Sequence, residues 1–263
     1  MGKLLIGTSG YDYPEWKGVF YPPAIKREEF LSYYSEQFNA LELNFSYYAM
    51  PDEKQLAAMA ERSGKRVIFS IKGNQQLTHY IEIGKWRDVA REFRAALTPL
   101  LSDNLLSSVL LQFPQSFHYE EETRRYLASL INEFRDLPLV VEFRHNSWQR
   151  GKVYEGLTER GAGCCSCDMP EVSKLPSFKP VITGNLAYMR FHGRNVKNWY
   201  GTNARERYDY HYTDKELSDY IPVLRDISRK AKTMQVFFNN HAKGNAAVNA
   251  KKLMILMAEE HGG

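Results

Sequence analysis

The chain has 263 residues, of which 43% are hydrophobic and 25% are charged, and its formal net charge is +4. These values are ordinary for a globular protein, so they exclude disorder, collagen and coiled coil as descriptions of the whole chain. No apolar run approaches the ~18 residues that a membrane span needs, and the first residues lack the features of a signal peptide. We therefore expect a cytoplasmic protein without a membrane partner, and the modest basic excess permits an anionic partner.

The length suits one α/β barrel, in which a chain of this size buries roughly 70–75% of its unfolded surface. The sequence contains no linker and no sharp change of composition. We therefore expect residues 1–263 to form a single domain.

Three cysteines, Cys164, Cys165 and Cys167, occupy four consecutive positions. They cannot form a disulfide framework, and their spacing differs from that of a zinc-binding pair, which has about two intervening residues. We interpret them as small buried hydrophobic residues in a reducing compartment, and we predict no cofactor for the protein.

Eight short apolar runs recur along the chain, and several are continuous rather than alternating. Continuous runs are typical of parallel strands that are buried on both faces. The predicted strands comprise residues 4–6, 40–43, 67–71, 109–111, 139–143, 163–167, 187–191 and 236–238.

Segments with helical periodicity lie between most of these runs. Residues 213–216 have the pattern of a capping box, and Asp52 has the position of a helix cap. Pro222 predicts a kink or a helix start, and residues 169–184, with three prolines, indicate a connection without a helix. Eight strands alternating with about eight helices predict a single (β/α)8 TIM barrel.

Polar residues follow the apolar runs, at the carboxyl ends where barrels of this class place their chemistry. Charges inside apolar strands are unfavourable unless they are paired, and acids and bases occur here in comparable numbers. The ring can therefore be an active site or a layer of ion pairs that closes the barrel, and we expect its charged members to share one pocket. In chain order it comprises Thr8, Ser9, Gly10, Glu42, Asn44, Ser70, Lys72, Gln112, Glu142, Arg144, His145, Asp168, Arg190, His192, Asn239, Asn240 and His241.

Two loops add aromatic and basic residues. The loop after the first strand contains Tyr11 and Trp16, which can line a substrate cleft or form a packed lid. The long connection 193–213 interleaves basic residues, Arg194 among them, with aromatic residues. This pattern suits an anionic ring-bearing ligand, including single-stranded nucleic acid, although a solvated basic face would have the same composition.

The loop 239–245 leads into the last helix, and its final residue can cap that helix. Free N–H groups at a helix start bind anions, and barrels often hold phosphate near the seventh and eighth strands. Gly244 would allow close approach and Lys243 would add charge. We therefore predict an anion site here, with Arg190 and Arg194 close to it.

Blocks of residues throughout the chain are similar to those of a known family. They are Gly7-Thr8-Ser9-Gly10-Tyr11-Asp12-Tyr13-Pro14-Glu15-Trp16-Lys17-Gly18, Phe20-Tyr21-Pro22, Glu42-Leu43-Asn44, Tyr47-Tyr48, Lys72, Thr78-His79, Gln112-Phe113-Pro114, Glu142-Phe143-Arg144-His145-Asn146-Ser147-Trp148, Arg190-Phe191-His192-Gly193, Asn239-Asn240, Gly244 and Asn249-Ala250. The chain resembles the domain-of-unknown-function 72 (DUF72, YecE-like) family. This resemblance implies a TIM barrel and supplies no reaction.

The leading hypothesis is an enzyme that acts on an anionic, phosphorylated small molecule by acid–base chemistry at the barrel mouth. Glu142 or Asp168 would be the general base, and His192 would move a proton near neutral pH. The catalytic candidates are Glu142, Asp168, His192 and Lys72. The substrate-binding candidates are Glu42, Asn44, Arg144, Arg190, Arg194, Asn239, Asn240, Lys243, Gly244, Tyr11 and Trp16.

Two alternatives remain open at this point. One is a metal-dependent phosphoesterase resembling endonuclease IV, with a divalent metal bound by members of the set His79, His145, His192, His241, Glu142 and Asp168. No short histidine motif supports it, and the basic strand ends would oppose a bound cation. The other alternative is a non-catalytic nucleic-acid or nucleotide binder, which the modest net charge disfavours.

Overall fold

The computed structural model describes residues 2–200 and 203–259. Eight parallel strands pair in sequence order, and β8 pairs with β1, so that the sheet closes into a barrel. The predicted (β/α)8 fold is confirmed. The strands are β1 Lys3–Ser9, β2 Ala40–Leu43, β3 Ile68–Lys72, β4 Leu106–Gln112, β5 Leu139–Glu142, β6 Gly163–Asp168, β7 Leu186–Phe191 and β8 Thr233–Phe238.

Most of the helices cover the outside of the barrel. In the described residues the helices are α1 Phe30–Gln37, α2 Phe45–Tyr48, α3 Glu53–Arg62, α4 Trp86–Ala96, α5 Thr98–Ser102, α6 Glu121–Glu133, α7 Gly151–Glu159, α8 Ala204–Arg207, α9 Asp214–Lys230 and α10 Asn245–Ala258. Two short ones, α2 and α8, contribute residues to the mouth of the barrel. None of the described helices combines the length and hydropathy that crossing a membrane requires.

The strands are buried on both faces, which explains their continuous apolar runs. A small cluster that includes Leu5, Leu110, Val140 and Phe237 fills the barrel interior. A larger cluster packs the outer strand faces against the helices. The polar carboxyl ends of the strands are therefore held by a rigid, fully packed support.

The local helix signals are borne out with two exceptions, Pro222 and Asn245. Helix α10 begins at Asn245 with Gly244 in the N-cap position and without a side-chain cap, so Asn245 does not cap it. The Asp52 side chain accepts a hydrogen bond from the Gln55 backbone N–H at 2.8 Å, and Thr213 and Glu216 form the capping box of α9. Helix α9 continues through Pro222, so that proline does not mark a helix start. Apolar contacts of α9 with the barrel outweigh the hydrogen bond that Pro222 cannot donate.

Residues 169–184 connect β6 to β7 without a helix, as predicted. Ser166 Oγ donates to the Lys179 carbonyl at 2.9 Å and accepts from the Val181 N–H at 3.2 Å. These two bonds attach the connection to the outer face of β6.

Candidate functional site

A cavity of about 590 Å³ opens at the carboxyl ends of the strands. Residues from six strand ends and from the long β7–α9 connection surround it. Its lining comprises Tyr13, Asn44, Tyr47, Tyr48, Lys72, His79, Gln112, Pro114, Gln115, Arg144, Leu175, Arg190, Trp199, Tyr200, Arg207, Tyr208, Asn239 and His241.

The charge of this lining is one-sided. Lys72, Arg144, Arg190 and Arg207 contribute four cationic groups, whereas no carboxylate belongs to the described lining. Five tyrosines and Trp199 also line the cavity. A cavity with low-dielectric walls and one sign of charge attracts ligands of the opposite sign, here anions.

Arg190 forms the floor of the cavity and is only 2% exposed. Its Nη1 donates to Glu142 Oε2 and its Nη2 donates to Glu42 Oε1, both at 2.7 Å. Both carboxylates are fully buried. The two acids therefore lie beneath the cavity, where Arg144 and Arg190 compensate their charge, so the excess positive charge of the lining comes from Lys72 and Arg207.

Glu142 is held as a carboxylate by the arginines around it. Burial opposes its ionisation, but Arg144 and Arg190 outweigh burial and hold the pKa of Glu142 well below its usual range. Its Oε1 accepts from Arg144 Nε, and its Oε2 accepts from Arg190. In this environment Glu142 orients two arginines, which differs from the predicted role of general base.

His192 is fully buried behind Arg144. Burial and then the charges of Arg144 and Arg190 lower the pKa of His192 well below its ordinary value. Its Nε2 accepts from Arg144 Nη2 at 3.1 Å, and its Nδ1 shares a 2.9 Å hydrogen bond with the Asn239 side-chain amide. The surroundings therefore oppose the predicted proton transfer near neutral pH and favour a neutral, fixed imidazole.

Lys72 lies half-buried at the end of β3, and its ammonium group belongs to the cavity wall. Nζ lies 4.1 Å from the centroid of the Tyr47 ring, and Ser46 Oγ donates to the Lys72 carbonyl at 2.6 Å. Burial and then the Arg190 charge lower the pKa of Lys72 to about 7. Among the described residues no carboxylate forms an ion pair with it.

His79 packs against the same tyrosine, with its ring edge-on to Tyr47 at 5.0 Å between centroids. Its Nδ1 shares a 2.9 Å hydrogen bond with Thr78 Oγ1. Burial and then the Lys72 charge lower the pKa of His79 to about 4. The cavity therefore contains a neutral imidazole beside a lysine that titrates near neutral pH.

Four residues of the lining carry buried polar atoms that have no hydrogen-bond partner in the described structure. They are Arg190 Nε, Arg207 Nε, Asn44 Oδ1 and His241 Nδ1. An unsatisfied buried polar group costs about 1–3 kcal/mol.

Asp168 lies outside the cavity, so the prediction that it shares one pocket with the other strand-end charges is wrong. Side chains of β6 alternate, and Cys167, which faces the barrel interior, places Asp168 on the outer face. There Asp168 accepts hydrogen bonds from Arg194 at 3.0–3.1 Å, from Tyr220 at 2.6 Å and from Tyr212. Arg194 belongs to this outer cluster and is also not a cavity residue.

The predicted anion site at residues 239–245 is not assembled either. Gly244, at φ +79°, faces Val19, and a Cβ on it would lie 2.8 Å from Val19 Cγ1. Lys243 is paired with Asp209 at 2.7 Å. The glycine therefore serves packing, and the lysine is neutralised on the surface.

Of the predicted asparagines after β8 and the predicted first-loop residues, one lines the cavity and the others pack or form hydrogen bonds outside it. Asn239 lines the cavity, whereas Asn240 donates to the Tyr210 carbonyl at 2.8 Å.

Trp16 is fully buried and donates from Nε1 to the His241 carbonyl at 2.7 Å. Tyr11 packs on Tyr34, with ring centroids 6.3 Å apart. The predicted substrate contacts of Trp16 and Tyr11 are therefore replaced by packing.

The metal-ligand set of the phosphoesterase alternative does not converge. In the described part of the chain, Glu142, Cys165 and Cys167 form the one group of potential metal ligands, and none of the histidines belongs to it. Glu142 is already bonded to two arginines, which would repel a cation. His145 instead packs on His118, with ring centroids 4.1 Å apart.

Several cavity residues were not among the predicted site residues. Tyr47 and Tyr48 belong to a short helix after β2, and Trp199, Tyr200, Arg207 and Tyr208 belong to the long β7–α9 connection. The interleaved basic and aromatic residues of that connection were the signal that could have identified the latter four. Tyr13, stacked on His241 with centroids 4.8 Å apart, takes the position expected of Tyr11.

The fold and the site together define a class: a (β/α)8 barrel with a cationic, aromatic-walled cavity at the carboxyl ends of its strands. The chain belongs to the DUF72 family, described as "Protein of unknown function DUF72", whose sequence model matches residues 5–263. Its resemblance to that family is thereby confirmed.

Individual relatives agree with this assignment. The chain is 31% identical over 275 residues to the UPF0759 protein YunF of Bacillus subtilis, covering 99% of this chain and 96% of the relative. A crystal structure of a DUF72 family protein from Thermotoga maritima is 35% identical, with a TM-score of 0.90, and the match covers 98% of this chain and 100% of that one. A DUF72 family protein from Enterococcus faecalis is 25% identical, with a TM-score of 0.85 and coverage of 97% and 95%.

Proposed function

We propose that this protein is an enzyme that binds a small, anionic, ring-bearing molecule in the barrel-mouth cavity and transforms it by acid–base chemistry at Lys72. The observation that carries the proposal is the charge of the cavity: four cationic side chains line it and its acids are paired beneath the floor. A phosphate or carboxylate ligand would complete this arrangement.

Arginines and an unpartnered acceptor would supply the contacts of the ligand. Arg190 and Arg207 each present a buried Nε without a partner, and guanidinium groups suit phosphate and carboxylate geometry. Asn44 Oδ1 is an unpartnered acceptor that could receive a ligand hydroxyl. The donors and acceptors thus match a molecule with an anionic group and hydroxyl groups.

The aromatic wall suits the ring of such a ligand. Tyr208 lies over the His192 ring with centroids 5.6 Å apart, and Trp199 lies edge-on to Tyr208 at 6.0 Å. The cavity volume of about 590 Å³ falls inside the range of about 300–1,000 Å³ typical of small-molecule sites. These dimensions favour a small molecule over a nucleic-acid strand.

Lys72 is the cavity group best suited to transfer a proton at neutral pH. A general acid or base is most effective when its pKa lies near the operating pH, and the pKa of Lys72 is lowered to about 7. Glu42 and Glu142 would act indirectly, because they hold Arg190 in place.

A thermal-shift assay tests the binding step. The probes are pyridoxine 5′-phosphate, a ring-bearing phosphate ester, and pyridoxine, the same ring without phosphate. We expect the phosphate ester to stabilise the protein, by about 2.7 kcal/mol at a hundredfold excess over Kd, and pyridoxine to have a much smaller effect.

Arg207→Ala is the variant that tests the location. No described carboxylate pairs with Arg207, so its loss should weaken the ester's affinity about tenfold and leave the fold intact. Arg205→Ala, which removes an exposed arginine from the same short helix α8, is the matched control and should bind as the parent does. Equal stabilisation by both probes, or equal weakening in both variants, would contradict the proposal. Tight binding of oligonucleotides without binding of the ester would favour a nucleic-acid binder.

The catalytic step is tested by proton exchange. We expect a screen of phosphorylated sugars in D₂O, followed by NMR, to find a compound whose carbon-bound proton exchanges in the presence of the parent protein. Lys72→Met should abolish this exchange and retain binding of the compound. Exchange at the parental rate in Lys72→Met would show that another group carries the proton.

A further inference from the structure

We propose that Lys72 is a nucleophile that forms an imine with an aldehyde or ketone carbonyl of the ligand. This inference rests on the proposed function, because it uses the same cavity and the same anionic ligand. It extends that function by naming the substrate class: anionic carbonyl compounds.

The geometry presents Lys72 as a reactive amine rather than a structural cation. Its backbone is held by β3 and by the hydrogen bond from Ser46 Oγ, whereas its Nζ projects into the cavity over the Tyr47 ring. Within the described residues no carboxylate is bonded to Nζ. A ligand that enters the cavity therefore meets an amine that is held in position and has no carboxylate partner.

The charges that face Lys72 favour its neutral form. Arg190 on β7 and Arg144 after β5 are cationic neighbours, and they lower its pKa in addition to burial. Glu142 on β5 and Glu42 on β2 act in the opposite direction, but both carboxylates are paired with arginine. Desolvation and adjacent cations activate lysine nucleophiles in this way, so a substantial fraction of the free amine exists at neutral pH.

The reaction balances without a redox step. The Nζ lone pair forms a bond to the carbonyl carbon while the C=O π pair moves to oxygen, and one proton passes from nitrogen to that oxygen to give a carbinolamine. The hydroxyl takes up a second proton and leaves as water, the nitrogen lone pair forms the C=N bond, and the nitrogen releases its second proton. One amine and one carbonyl group therefore give one imine and one water.

His79 is placed to form a hydrogen bond with the ligand or with the released water. It packs edge-on against Tyr47, the ring over which Lys72 Nζ lies, and its pKa of about 4 keeps it neutral. Nδ1 of His79 is hydrogen-bonded to Thr78 Oγ1, so Nε2 is the ring nitrogen left to bind the ligand or a water molecule. A neutral imidazole with this pKa serves as a hydrogen-bond partner for the ligand, and the protons of the sequence pass through solvent.

Reductive trapping tests the inference. The parent protein is incubated with pyridoxal 5′-phosphate, an anionic aromatic aldehyde, and sodium cyanoborohydride, which reduces an imine to a stable secondary amine. Peptide mass spectrometry then locates the label. We expect Lys72 to be labelled at least tenfold faster than the exposed Lys243, and we expect excess pyridoxine 5′-phosphate, which lacks the carbonyl, to protect it.

Two variants and the binding assay separate the outcomes. The Lys72→Met variant should lose the label that pyridoxine 5′-phosphate suppresses in the parent. The Lys243→Met variant should be labelled at Lys72 as the parent is. Binding of pyridoxine 5′-phosphate without labelling of Lys72 would overturn the imine and leave the proposed function intact. If neither pyridoxine 5′-phosphate nor pyridoxal 5′-phosphate binds, both the imine and the proposed function are overturned. Labelling of Lys72 that pyridoxine 5′-phosphate does not suppress would contradict a reaction inside the cavity.

Discussion

At the scale of single residues, the structure separates charges that stabilise the barrel from charges that face the ligand. Arg190 does both, because its two Nη atoms bind buried carboxylates and the residue also lines the cavity. Sequence alone could place Glu42, Glu142 and Arg190 at strand ends. It could not show which pairs they form, since that depends on side-chain geometry across three strands.

The first prediction concerns this ion-pair layer. Arg190→Gln leaves Glu42 and Glu142 buried with one cation fewer between them, and breaking a buried pair costs about 3–5 kcal/mol. We expect a loss of that size in the free energy of unfolding, measured by urea denaturation. Arg91→Gln, which removes an exposed ion pair with Asp88, should cost less than about 1 kcal/mol. Similar losses in both variants would refute the structural role of Arg190.

The second prediction concerns pH. The pKa of Lys72 is about 7 in the folded protein and near 10.5 when unfolded, so between these values the unfolded chain binds more protons. The contribution of Lys72 to the stability of the parent should therefore rise with pH across this window, and the penalty of charging Lys72 should be full below pH 7. Lys72→Met removes that penalty. Its stability relative to the parent should be greatest near pH 6 and should decline towards pH 9.

Urea denaturation at the two pH values checks this expectation. Lys243→Met is the control, since Lys243 is exposed and paired with Asp209. A stability difference between Lys72→Met and the parent that does not change with pH would contradict the lowered pKa of Lys72.

At the scale of elements, the strands were predicted correctly, but the direction of one strand-end side chain was not. The apolar runs located all eight strands, because strands buried on both faces leave a continuous signal. The same alternation that turns Cys165 and Cys167 inwards turns Asp168 outwards, to Arg194 and two tyrosines. Treating every strand-end charge as a cavity residue ignored this period of two.

The third prediction tests the register of β6. Asp168→Asn weakens the hydrogen bonds with Arg194, Tyr212 and Tyr220, so we expect a stability loss of about 1–3 kcal/mol. Affinity for pyridoxine 5′-phosphate should match that of the parent, because Asp168 does not line the cavity. A tenfold loss of affinity in a variant that remains folded would return Asp168 to the site.

At the scale of the whole molecule, the cavity is built from parts that are distant in sequence. The strand ends supply Asn44, Lys72 and Arg190, and these could be predicted from the strand pattern. Trp199 and Arg207 come from the long β7–α9 connection, whose path over the barrel mouth depends on tertiary contacts that no local pattern encodes. The strand-end residues of the cavity could therefore be predicted from the sequence more readily than the residues of the β7–α9 connection.

The position of the ligand in a crystal structure of the parent protein with pyridoxine 5′-phosphate provides the decisive test. We expect the phosphate within hydrogen-bonding distance of Arg190 or Arg207, with the ring against the aromatic wall. Density for the phosphate at the start of α10, or on the outer cluster around Asp168 and Arg194, with the barrel-mouth cavity unoccupied, would contradict this expectation.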